Sequence, residues 1–297
     1  MIIQDIEMKK IFLAELKRNL RSIPFLFCSL IILVENVYYI LCNQYGKQIS
    51  IYLFDQLQPP APFLFPQYIY LLISIIPAFH IGSDFAYRTI NNKISLGYTK
   101  KQIFLCQTLV CAITSLLLLC EDTIVSIIFC LFRHYSVAVI FSGKFITSLG
   151  IVMCIFICIS SFSTFLSFLF RDRIISVLII FMLSLSLSYI GNTDVSAIMQ
   201  EKYSSLYTDT GEPGKQENPL YLEGFSRDLC NLRILLSPYA QNAYSPYLLT
   251  ESSKQKIDNS FILPHSSTHK EFIIVDLILC NITIYLGIKT FEKTNLK

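Results

Sequence analysis

Charge is scarce in this chain. Only 15% of its 297 residues are Asp, Glu, Lys or Arg, while 53% are hydrophobic. Soluble domains carry about 25% charged residues. So little charge cannot coat a globular surface, which excludes an ordinary soluble protein and leaves a bilayer as the natural solvent. Tryptophan is absent, so tyrosines take the role of interface anchors: Tyr38, Tyr39, Tyr68, Tyr70 and Tyr189 fall near the ends of apolar runs. No G-x-x-x-x-G-K-[ST] occurs, so the chain has no P-loop of its own for ATP. HExxH and GxSxG are also missing. These absences leave no catalytic residues to nominate, and a non-enzyme is expected. The ten cysteines lie almost all inside apolar runs, which excludes an extracellular disulfide framework. Cys154 and Cys158 share a helix face without a nearby histidine and read as small packing residues. His265 and His269 are four apart, but Pro264 and the Ser-Ser-Thr between them make a loop rather than a metal site. No cleavable-signal pattern, internal repeat or low-complexity tract is visible.

What is present is a set of long apolar segments. A bilayer crossing needs about 20 mostly apolar residues, and six stretches qualify: 24–42, 63–81, 103 to at least 120, 145–170, 174–191 and 272–288. The third continues past Glu121 and Asp122 to Phe132 and reads as one long helix. The expected fold is an all-α membrane protein with six spans, an N-terminal amphipathic interface helix and a large extracellular segment. In domain terms, 1–191 holds spans one to five, 192–270 is extracellular, and 271–297 holds the sixth span and a tail. Without disulfides, 192–270 is expected to pack down on the spans as a lid with short helices.

Lys and Arg set the expected orientation. With the N-terminus inside, the pieces 1–22, 82–102, 171–173 and 289–297 hold 14 Lys/Arg in 55 residues. The opposite pieces, 43–61, 133–144 and 192–270, hold 10 in 110. Both termini are therefore expected in the cytoplasm of a multi-pass cell-membrane protein. In MKKIFLAELKRNLRS, at 8–22, Leu13, Leu16, Leu20 and the following Ile23 recur at helical spacing, with five cations on the other faces. Such a helix lies in the membrane interface, and Pro24 marks the turn into the first span.

Acids inside spans are costly and mark functional candidates. Glu35 and Asn36, Glu121 and Asp122, and Asp276 lie on three different spans. At 1.5 Å per residue, Glu35 lies roughly 17 Å past Pro24. It is expected, with Asn36, to make an interior polar contact. Glu121, Asp122 and Asp276 are expected nearer the outer headgroups. The sharper alternative is an acidic vestibule that receives a cationic substrate.

The remaining anomaly is a basic island between two apolar runs, GSDFAYRTINNKISLGYTKKQ at 82–102. Phe85, Ala86, Ile90 and Ile94 share one helix face, Gly97 is a helix stop, and Thr99 with Gln102 forms a capping box. The island therefore reads as a short helix, a glycine turn, and the start of a span. This stretch resembles the intracellular coupling segment of type-2 ABC exporter permeases. That pattern is an acid, an aromatic, then Gly-Thr-[Ile/Leu]-[Arg/Lys]-Asn-x-x-x-x-Gly-x-[Ser/Thr]-[Arg/Lys]. Asp84, Phe85, Thr89, Ile90, Asn92, Gly97, Thr99 and Lys100 match it, while Arg88 stands where the family has glycine and Asn91 where it has a basic residue. The interface helix, six spans, long outer segment and FEKTNLK tail also follow the family's layout.

The resemblance implies a permease subunit that pairs with a second permease, identical or sister. It also implies a docked pair of ATP-binding cassette subunits, which bind ATP and magnesium in its place. The expected coupling residues are Asp84, Phe85, Arg88, Thr89, Ile90, Asn92, Lys93, Ile94 and Gly97. The cargo would be amphipathic or cationic: an antimicrobial peptide, a lipid or a drug. No nucleic-acid partner is expected. The rival reading is a non-transporting receptor or scaffold whose extracellular segment binds a ligand.

Overall fold

The computed structural model describes residues 2–45, 69–132, 143–200, 202–207, 213–245 and 270–294. His134, His265, His269, Tyr68, the QPPAP stretch and 246–269 lie outside the described residues. In chain order the helices are α1 (Ile2–Leu20), α2 (Ile23–Tyr45), α3 (Ile69–Ala86), α4 (Thr89–Ser95), α5 (Lys100–Phe132), α6 (Gly143–Phe170), α7 (Arg173–Ile198), α8 (Phe225–Leu236), α9 (Pro238–Tyr244) and α10 (Lys270–Glu292). An antiparallel hairpin, β1 (Tyr203–Tyr207) with β2 (Pro213–Glu217), is an addition to the all-α expectation.

Five helices, α3, α5, α6, α7 and α10, are long and apolar enough to cross a membrane. Met8–Leu20 and Ile23–Val37 make a sixth only if taken as one broken span, since they are bent by 53°. The bend falls at Arg21–Ser22, where the Phe25 backbone N–H donates to Ser22 Oγ at 3.3 Å. Pro24 then sits in the first turn of α2, where its missing N–H costs nothing. The long third apolar run is one continuous helix, as expected. The fifth extends seven residues beyond position 191, carrying Asp194 into helix.

Local signals set the helix ends. The Thr99 N–H donates to Gln102 Oε1 (2.9 Å) and the Gln102 N–H to Thr99 Oγ1 (3.2 Å), so the capping box opens α5. Asp172 Oδ1 accepts from the backbone of Ile174 and Ile175 at the head of α7. Ser237 caps α9, with Pro238 in its first turn.

Helix α6 is central, packed on α3, α5, α7, α9 and α10. Its inner faces bury Ile151, Ile155, Phe156 and Ile159 beside a polar stripe of Ser160, Ser163, Thr164 and Ser167. The four pieces rich in Lys and Arg gather at one end of the bundle. There Lys100 donates to the carbonyls of Glu292 and Thr294 (3.0 and 2.6 Å). Arg171 donates to Thr294 Oγ1 at 2.6 Å. Beneath them Phe104, Phe168 and Phe291 stack at 4.9 and 4.8 Å between ring centres.

At the other end, α8 and α9 do not stand off as a separate module. Helix α9 inserts among α6, α7 and α8. A Cβ on Gly191 would fall 2.5 Å from Ala240 Cα, so only glycine admits this approach. Tyr239, Ala240, Gln241 and Tyr244 are all buried.

Candidate functional site: a buried charge node at the helical elbow

The basic island folds into an elbow. Helix α3 runs on to Ala86, the chain turns at Tyr87–Arg88, and α4 follows for two turns. Arg88 adopts φ 56°, ψ 21°, the left-handed region that favours glycine. Gly97, at φ +93°, makes the second turn.

Inside the elbow sits a charge node. Asp84 is 1% exposed and accepts four side-chain bonds. Lys93 Nζ and Gln107 Nε2 reach its Oδ2 at 2.6 and 2.8 Å. Arg18 and Thr89 Oγ1 reach its Oδ1 at 2.6 and 2.8 Å. Glu15, also buried, binds Lys93 at 2.8 Å and Arg18 at 2.5 Å, with His80 at 3.4 Å. Two carboxylates thus balance two cations: Lys93 and Arg18 each contact both, giving four charge-assisted contacts, and Gln107 and Thr89 add neutral donors. Burial pushes the Glu15 carboxyl up, but the His80 bond and the Lys93 and Arg18 charges outweigh it and hold it at about 2.

The node joins α1, α3, α4 and α5. Helix α1 therefore docks through its polar side: Glu15 and Asn19 face the protein, while Leu13 is 52% exposed and Ile23, at the head of α2, 82%. Sequence reasoning assigned that helix to lipid and missed Glu15, His80 and Gln107. The available signals were an acid among the five cations of the 8–22 stretch and two polar residues inside apolar runs.

The expected coupling residues divide by burial. Asp84, Ile90 and Lys93 are interior. Phe85, Thr89 and Ile94 are half-buried, with Phe85 edge-on to Phe168 at 5.7 Å. Arg88, Asn92 and Gly97 are exposed, together with Tyr87 (72%) and Leu96 (77%).

Of the candidate pathway residues, four come together where α2 meets α5. Asn36 Nδ2 donates to Asp122 Oδ1 (2.9 Å), and Ser126 Oγ to Asn36 Oδ1 (3.3 Å). Ser29 Oγ donates to Glu121 Oε1 at 2.7 Å. The interior contact expected of Glu35 belongs to Asn36, while Glu35 itself is only half-buried. Asp122 and Asp276, expected near the headgroups, are instead enclosed by protein at 0% and 1% exposure. Asp276 is a separate feature, buried beside Gln241 of α9. Above the bundle's middle, Tyr239 Oη stands 3.2 Å from Ser74 Oγ and 3.1 Å from Ser184 Oγ. Ser184 is 11 residues into α7, about 16 Å along it, so α9 sits well inside the helical bundle. Nothing in the sequence pattern of 229–249 marked a segment that deep.

The described cysteines are all free thiols. No group of three or more His, Cys, Asp or Glu suited to a metal occurs among the described residues. No protein-family profile, curated protein or solved structure matches this chain. The fold itself defines a class: a helical multi-pass membrane protein, with a neutralised charge node at one end of its bundle and the buried short helix α9 packed among α6, α7 and α8 at the other.

Proposed function

We propose that this chain is the membrane-spanning permease subunit of an ATP-driven exporter. It crosses the cell membrane six times, with α1 at the interface, both termini in the cytoplasm and 192–270 outside. A second permease, identical or sister, faces it across the pathway. A separate pair of ATP-binding cassette subunits, which hold ATP and magnesium, docks on the elbow. The cargo is amphipathic or cationic.

The observation that carries this reading is the Asp84 node. A lever must be rigid inside and accessible outside, and this elbow is both. Its exposed side offers Tyr87, Arg88, Asn92 and Leu96. Its buried side ties α4 to α1, α3 and α5 through one carboxylate. A push on α4 therefore reaches three other helices without passing through a soft contact. The left-handed Arg88 also supports the family resemblance, because the family's glycine would sit where this backbone favours glycine. Enclosed acids at α2–α5 and at Asp276 suit a cationic or amphipathic cargo.

The test uses the full chain purified from native membranes. An ATPase subunit co-purifies, and Leu96→Asp or Tyr87→Asp releases it while the chain still inserts and folds. Ile90 is unsuitable for this purpose, because it is 1% exposed and its loss would damage the fold. Labelling of the exposed Lys101 from the cell exterior would place the elbow on the wrong side and end the proposal.

A further inference from the structure

Where α3 meets the head of α7, a cavity of about 610 Å³ opens between Phe79, Phe85 and the 171–178 stretch. Pockets for small ligands run about 300–1,000 Å³. Its mouth carries Arg171 and Arg173, with Asp172 between them. Asp172 Oδ1 already accepts two backbone N–H groups of α7. Arg171 gives one nitrogen to Thr294 Oγ1. Arg173 lies over the Phe79 ring, 5.2 Å from its centre, and has no ion pair among the described residues. The walls below are apolar: Ile174, Val177 and Leu178.

A shallow surface groove adjoins it at Leu178 and follows α7 past Ile179, Met182 and Leu183 to Ser186. Leu178 and Met182 are 58% and 61% exposed. From Arg173 to Ser186 is 13 residues, about 20 Å of helix, enough to cover one leaflet, about 15 Å, of a hydrocarbon core about 30 Å thick together with its headgroup boundary. A cationic mouth leading into a single apolar furrow of that length has the shape and charge of one ligand class.

We infer that this furrow is a binding site for an anionic phospholipid of the surrounding leaflet. The phosphate sits between Arg171 and Arg173, where a guanidinium binds phosphate oxygens in a paired geometry, and one acyl chain lies along Leu178 and Met182. A zwitterionic lipid brings the same phosphate, but its headgroup cation meets the same two arginines and cancels most of that gain, and a free phosphate gains only the mouth. The arrangement is independent of what the protein transports.

The test is thermal melting and native mass spectrometry of the full chain in detergent, with added phosphatidylglycerol, phosphatidylcholine or inorganic phosphate. Phosphatidylglycerol is expected to raise the melting midpoint and remain bound, at least tenfold tighter than phosphatidylcholine. Arg173→Gln weakens that binding about tenfold and lowers the phosphatidylcholine response much less. Met182→Trp, which fills the furrow without touching the mouth, weakens both lipids, so a folding defect from one variant does not decide the matter. Equal response to the two lipids overturns the inference. So does reproduction of the full effect by inorganic phosphate. Crosslinking of Leu178→Cys to a second copy in the bilayer also overturns it, since another protein chain would then occupy the furrow.

Discussion

Asp84→Asn isolates what the node contributes. The substitution keeps the side chain's size and removes its charge. In the native protein Lys93 is bound by Asp84 Oδ2 at 2.6 Å and Glu15 Oε1 at 2.8 Å, with its side chain only 10% exposed. Asparagine leaves Lys93 with Glu15 alone, and its amide can turn an N–H toward the ammonium. Removing one partner of a buried ion pair costs about 3–5 kcal/mol, because the other charge cannot reach water. The upper part of that range applies here, since Arg18, Gln107 and Thr89 also lose charge assistance on the same carboxylate. Reversible unfolding in mixed detergent micelles measures the difference. A double variant, Asp84→Asn with Lys93→Met, removes the stranded ammonium and should be milder than the sum of the single changes by about 0.5–3 kcal/mol. A loss below about 1 kcal/mol for Asp84→Asn, or strict additivity in the double variant, refutes the node as a mechanical tie. By contrast Arg18→Ala removes a side chain that is itself 41% exposed, and should cost only about 1 kcal/mol, as solvent reaches the guanidinium and screens that bond.

Other outcomes follow from the same geometry. Arg88→Gly should stabilise the elbow by about 1 kcal/mol by relieving a left-handed backbone, and Arg88→Val should destabilise it, both read by the same unfolding assay. Gly191→Leu drives a side chain into Ala240 and should cost about 1–3 kcal/mol; in that background Gln241→Cys becomes reactive to a water-soluble thiol reagent, whereas with Gly191 intact it stays protected. The Glu15 carboxyl, held at about 2 against an ordinary 4.5, contributes stability that is complete above about pH 4.5 and falls away as the pH drops toward 2. Glu15→Gln should flatten the acid limb of the stability profile across that window and leave the neutral region's slope unchanged.

Apolar run length was sufficient to locate five helices long and apolar enough to cross a membrane, because a helix in lipid must satisfy its own backbone and so announces itself by composition. Capping chemistry at Thr99 and Gln102, the stop at Gly97 and the bend before Pro24 were also local, and each appears where the sequence placed it. Three things were not local. Which face of α1 meets the protein depended on Asp84 and Gln107, distant in sequence, offering its acid and arginine a charge-balanced site. Whether an acid in a span faces headgroups or protein depended on the neighbour: Asn36 for Asp122, α9 for Asp276. And the descent of α9 to the bundle's middle depended on the absence of a side chain at Gly191 and on hydroxyls from Ser74 and Ser184, on two other helices, meeting Tyr239. Sequence periodicity reports which residues tolerate lipid. Only packing decides which polar groups find each other once water is gone, because that depends on partners converging from separate parts of the chain.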